Sequence, residues 1–182
     1  MNRVIVTYGL LSGAVLSALL VLSAMVMKNV GMDRTEYVGY ASMLLGSGMM
    51  FLGVRAYRNT IPAASVHFRE LLKGGVLILL ISTICYVITW DIVMRTIMPD
   101  FAERYAAMLV DKARAAGADS VAIVAKQSEM AKLGDMYRNP LTRAALTFLE
   151  PLPIGLAIVL LSAWGLSRKR PAPVSTEGTA VS

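Results

Sequence analysis

The chain has 182 residues, 56% of them hydrophobic and only 16% charged, with a formal net charge of +6 and a mean hydropathy of +0.60. Soluble domains carry about 45–50% apolar and about 25% charged residues, so this chain lacks the polar groups to cover its apolar surface and places part of it in lipid. The composition also excludes disorder and a collagen-like repeat, and a lone cysteine, Cys85, excludes a disulfide scaffold.

Uncharged runs predict four membrane-spanning helices. The first, Val4–Met27, holds 24 residues and reaches roughly 36 Å, enough to cross a hydrocarbon core of about 30 Å. It is far longer than the apolar core of a leader peptide, and no small-x-small site followed by a soluble domain comes after it, so it reads as a retained helix. The second is Tyr37–Val54. The third is Gly74–Trp90, extendable to Met94 where Asp91 is tolerated near its end. The fourth, Ala144–Ser167, is interrupted once by Glu150. Backbone in lipid must satisfy its own hydrogen bonds, and no alternating strand pattern appears, so the spans are helices.

Between spans three and four, residues 99–139 form the one substantial polar region. Pro99 suits a first helical turn, with Asp100 and Glu103 complementing the positive helix start. Phe101, Tyr105, Met108 and Leu109 give an apolar stripe. Ala115-Ala116-Gly117-Ala118 predicts a break, and Asp119 or Ser120 caps a second helix. Its apolar positions are Val121, Val124, Met130, Leu133, Met136 and Tyr137, and Asn139-Pro140 ends it. The fold class is therefore all-α: a polytopic membrane domain over residues 1–170 with an extramembrane helical hairpin, followed at 171–182 by a polar tail that reads as disordered and cytoplasmic.

Four spans put both termini on one side. That side holds 8 cations, Arg3, Arg55, Arg58, Arg69, Lys73, Arg168, Lys169 and Arg170, all near span ends; the other holds 10, most of them within the long insertion. Short loops and charges near span ends govern orientation, so both termini are expected in the cytoplasm. The basic flanks suit anionic headgroups. They form no basic domain, so nucleic acid is not an expected partner.

Glu150 is the sharpest candidate for a functional group, because a carboxylate inside an apolar run must be paired or protonated and often marks an ion pathway. Pro151 and Pro153 follow it, however, and the span could equally begin at Pro151, leaving Glu150 at the interface beside a helix start. Asp91 carries the same ambiguity, four residues before Arg95, a spacing that permits an ion pair. The topology puts Asp91 and Glu150 toward one side, where they could share a polar pocket with Arg95; the alternative is two independent interfacial charges beside a snorkelling Arg95. Gly9, Gly13 and Ser17 in span one, and Ser42 and Gly46 in span two, are small residues four apart. Such ridges let helices approach closely, either within one bundle or across a homo-oligomer. His67, the sole histidine, makes no metal site. P-loop, GxGxxG, HExxH, GxSxG and CxxC patterns are absent, so no catalytic residue and no cofactor is expected.

Several motifs recur in a familiar order: Tyr8-Gly9-Leu10-Leu11-Ser12-Gly13, Gly39-Tyr40-Ala41-Ser42-Met43, Gly53-Val54-Arg55-Ala56-Tyr57-Arg58, Pro99-Asp100-Phe101, Tyr105-Ala106, Glu129-Met130, Met136-Tyr137-Arg138-Asn139-Pro140 and Thr147-Phe148-Leu149-Glu150-Pro151-Leu152-Pro153-Ile154-Gly155. Together they resemble the bacterial membrane family catalogued as domain of unknown function 4199, over nearly all of the chain except the tail. The resemblance implies a four-span protein of the bacterial inner membrane with a helical insertion, and it brings no catalytic residues. The expected function is a non-enzymatic structural or partner-binding membrane component, alone, as a homo-oligomer or with a membrane-protein partner. The alternative is a small transporter or proton-linked channel component that uses Glu150 and Asp91.

Overall fold

A computed structural model describes residues 2–31 and 36–168. The tail expected at 171–182 lies outside them. The described residues form seven α-helices and no strand: α1 (Arg3–Val30), α2 (Glu36–Arg58), α3 (Phe68–Thr96), α4 (Phe101–Ala115), α5 (Ser120–Arg138), α6 (Pro140–Leu149) and α7 (Leu152–Arg168), with a short 3₁₀ turn at Ala63–Ser65. Four helical stretches are long and apolar enough to cross a membrane: α1, Tyr37–Arg58 of α2, α3, and α6 with α7 taken together.

The helix ends follow from local chemistry. Asn2 starts α1, its side chain accepting the Val4 N–H at 3.1 Å. Asp119 caps α5 through the Ala122 N–H at 2.7 Å. Asn139 caps α6 through the Leu141 and Thr142 N–H groups, with Pro140 at the first helical position. Gly117, at φ 78°, closes α4, where the Ala118 N–H reaches the Ala113 carbonyl and the Gly117 N–H that of Arg114. A left-handed residue is required there, and glycine adopts it without steric cost.

In the bundle, α1 packs against α2 and α3, and α7 packs against α3 and α2. Lipid supplies no hydrophobic drive between helices, so the contacts depend on close approach and hydrogen bonds. The Gly9–Gly13–Ser17 ridge faces α3. A Cβ at Gly13 would meet Cys85 at 2.7 Å, and one at Gly9 would meet Ile81 at 2.8 Å. This closeness lets the Ser82 hydroxyl reach the Gly9 carbonyl at 3.0 Å and sets the Thr89 and Ser17 hydroxyls 2.8 Å apart. On the other side of α1, Gly46 of α2 seats against Leu16, and the Ser23 and Ser42 hydroxyls lie 2.9 Å apart. The small residues thus serve contacts inside one bundle. Large apolar side chains such as Leu22, Leu45, Ile88 and Leu161 point outward, where only acyl chains could accept them in such number. The chain is a multi-pass membrane protein.

Several boundaries differ from the sequence reading. Helix α3 begins at Phe68, six residues before the expected start at Gly74, because the segment carrying Arg69, Glu70 and Lys73 continues the helix beyond the apolar run. Pro99 precedes α4 instead of opening it. Asp100 makes no side-chain cap; its carboxylate binds Arg104 at 2.6 Å. In α5, Met130 is buried, but Val121 and Val124 are exposed, since the cavity wall from α5 begins only at Met130; Met136 is off the face formed by Met130, Leu133, Gly134 and Tyr137 and is exposed too. Span four is divided. Pro151 and Pro153 have no N–H, so the ladder stops at Leu149 and resumes when the Gly155 N–H reaches the Pro151 carbonyl.

Candidate functional site

The α4–α5 hairpin closes over one end of the bundle. Its Phe101, Tyr105 and Met108 stripe packs with Ala24 and Met27 of α1 and with Trp90 and Val93 of α3. Beneath it lies a cavity of about 350 Å³, walled by side chains from α1 through α6 and by Glu150 at the α6–α7 break. Most of the wall is apolar and deformable, with Met27, Met43, Met98, Met108 and Met130 among its members. The aromatic side chains are arranged around Phe101. Trp90 meets it edge-on with ring centroids 4.9 Å apart, Tyr105 stacks on it at 5.7 Å, and Tyr137 lies tilted at 6.4 Å.

Glu150 is the polar end of this space. Of the described side chains that line it, Glu150 is the only carboxylate, and none is a lysine, arginine or histidine. Buried Tyr86 donates its hydroxyl to the Glu150 carboxylate at 3.3 Å. Tyr137, on the hairpin, has its phenol pushed above the ordinary value, first by burial, then by the negative charge of Glu150 and by Tyr105. The Trp90 indole N–H is buried without a hydrogen-bond partner among the described residues.

Asp91 and Arg95 pair at 2.8 Å, as their spacing implies. A third group completes this cluster. Arg143 of α6 donates to the other Asp91 oxygen and also to the Tyr137 carbonyl, at 3.0 Å. Glu150 does not join them. It faces the apolar cavity, while Arg95 and Arg143 line a more open space of about 840 Å³ beside the hairpin. Glu150 and the Asp91 cluster thus face different, adjoining spaces, the arrangement of two independent charges, and the reason is register. Helices α3 and α6 run antiparallel, so Asp91 pairs with Arg143 near the hairpin and Tyr86 pairs with Glu150 deeper in the bundle. That rule, residue numbers falling on one helix as they rise on the other, is the signal by which Arg143 and Tyr86 could have been found. Nothing in the linear pattern singles them out.

The helix-packing residues Gly9, Gly13, Ser17 and Gly46 lie outside the cavity; Ser42 is at its rim. His67 sits just before α3 and makes no side-chain cap. Among the described residues, no three His, Cys, Asp or Glu side chains are grouped so as to hold a metal ion.

A family model described as a protein of unknown function (DUF4199) matches residues 7–168. The chain belongs to that family. The matched range takes in the bundle, the hairpin and every residue that lines the cavity. No curated protein and no solved structure matches the chain.

Proposed function

We propose that this protein is a non-enzymatic binding component of a bacterial cytoplasmic membrane, with both termini in the cytoplasm and the hairpin on the opposite face, and that it binds its ligand or partner group in the space under that hairpin. The observation that carries this reading is the cavity itself. Six helices contribute to its wall, it has the size of small-molecule sites, and it combines a largely apolar wall with a few convergent polar groups. The basic residues at the opposite end, including Arg3, Arg55, Arg58 and Arg69, support the orientation.

A filled cavity tests the proposal. Ala106 lines the space, and Ala106→Trp would occupy it. Native mass spectrometry of protein extracted from its own membranes should show a bound small molecule on the wild type and none on the variant, with both retained in the membrane fraction. Identical spectra from the two proteins would overturn the reading. Reporter enzymes fused at residue 182 and within 110–125 check the orientation; cytoplasmic activity of the second fusion would reverse it.

The transporter reading has one observation in its favour, Glu150 facing a cavity from within a span. Its two-carboxylate form is weakened by Asp91, which two arginines already hold.

A further inference from the structure

We infer that the cavity binds a hydrophobic organic cation, a quaternary ammonium or protonated amine carrying an apolar body, with its charge shared between Glu150 and the aromatic cluster. The inference rests on the reading of the cavity as the binding site and names the chemistry of its occupant.

The charge balance argues for a cation. A carboxylate within a membrane span is costly unless it is paired or protonated. Among the described residues Glu150 has one polar contact, the Tyr86 hydroxyl at 3.3 Å, and that donor is neutral. Among the described residues no cationic side chain lines the space, although arginines stand close by and are committed to Asp91 and the Tyr137 carbonyl. Among the described residues the bundle thus sets one carboxylate against a largely apolar wall, while Arg95 and Arg143 are turned toward Asp91. An incoming cation would supply the missing partner.

The wall argues for an organic one. Calcium and magnesium take six or more oxygen ligands or retain several waters, and this wall offers a single carboxylate among thioethers, aliphatic groups and rings. Aromatic faces, by contrast, attract ammonium groups through the ring quadrupole, with tryptophan the strongest and tyrosine and phenylalanine following. Trp90, Phe101, Tyr105 and Tyr137 provide four rings, the other three each in contact with Phe101, and three of the four sit on α4 or α5, so the hairpin itself contributes most of the aromatic surface. The methionines adapt to ligands of varied shape. A volume of about 350 Å³ admits a phenyl ring or a short alkyl body with its ammonium head.

The test uses a matched pair of probes: benzyltrimethylammonium, and neopentylbenzene, in which carbon replaces the charged nitrogen. The full chain in lipid nanodiscs carries Trp164→Phe, which removes the lipid-facing indole and leaves Trp90 as the reporter. Titrating each probe, with empty nanodiscs subtracted, reads binding from Trp90 emission. The cation should bind about tenfold more tightly than its neutral counterpart. Glu150→Gln should remove that preference while neutral binding stays unchanged. Phe101→Leu, which keeps the carboxylate, should weaken the cation several-fold and the neutral probe little.

Equal affinity of the two probes in the Trp164→Phe protein would overturn the cation inference and leave the cavity as a general apolar site. Absence of binding by either probe would also overturn it. Preference for the cation that persists in Glu150→Gln and in Phe101→Leu would place the cation elsewhere and refute the assignment.

Discussion

Arg143 on α6 and Asp91 on α3 form an ion pair across 52 residues of sequence, with the arginine side chain 12% exposed and the aspartate 35% exposed. Through the same guanidinium, the Tyr137 carbonyl at the end of the hairpin is tied to the start of span four. Breaking a fully buried pair costs about 3–5 kcal/mol. Asp91 is partly solvated and keeps Arg95, so Arg143→Ala is expected to cost about 1–3 kcal/mol in thermal unfolding in detergent. It should also speed proteolysis of the hairpin. Arg95→Ala, which removes an exposed i,i+4 partner, should stay within about 0.5 kcal/mol.

Close approach between α1 and its neighbours predicts a sharp contrast among glycines. Gly13→Val drives new atoms into Cys85, and Gly46→Val drives them into Leu16. Each should destabilise the bundle by about 1–3 kcal/mol. Gly48 on α2 is exposed and has open space where a Cβ would stand, so Gly48→Ala should be neutral or stabilising by up to about 1 kcal/mol. Thermal unfolding of the purified variants separates the two classes.

The outward-facing leucines predict where charge is forbidden. Leu45 on α2 is 70% exposed and Val121 on α5 is 76% exposed, yet only the first lies in a span. Leu45→Arg should lower insertion by about 2.5–3.5 kcal/mol if it sits near the span centre. Val121→Arg should change stability by less than about 0.5 kcal/mol. A glycosylation-mapping insertion assay for the first and thermal unfolding for the second give the two values.

Alkali should loosen the hairpin. In the folded chain the Tyr137 phenol is raised above its ordinary value near 10, so below that pH both states keep the proton and the stabilisation is complete. As pH rises past about 10 the unfolded chain loses its proton first, and the native state loses ground. Proteolysis of the hairpin should therefore accelerate above about pH 10, and less steeply in Tyr137→Phe. An equal response in the two proteins would contradict this origin.

The spans and the hairpin were legible because each is written in adjacent residues: long uncharged runs bounded by charges, Asp119 and Asn139 at helix starts, Gly117 at a helix end. Even so, local patterns overreached in α5, where Val121 and Val124 fit an apolar stripe but extend past the surface available to cover them. The site was legible only in part. Glu150 and Asp91 stand out as charges in apolar runs, and Arg95 is within one helical turn. The cavity is another matter, since Tyr86 and Trp90 of α3 meet Met130 and Tyr137 of α5 only when the hairpin folds back over the bundle.

The proline pair in the last span has a mechanical consequence. Pro151 and Pro153 have no amide proton to offer the carbonyls of Thr147 and Leu149, so α6 and α7 are joined by covalent bonds and side-chain packing, with those ladder rungs missing. Such a joint works as a knuckle. Flexing there would rock α6, and with it the Arg143 tether and the lid that α5 carries, without rupturing a further rung, so the chamber could change its aperture while the four-helix pillar stays upright.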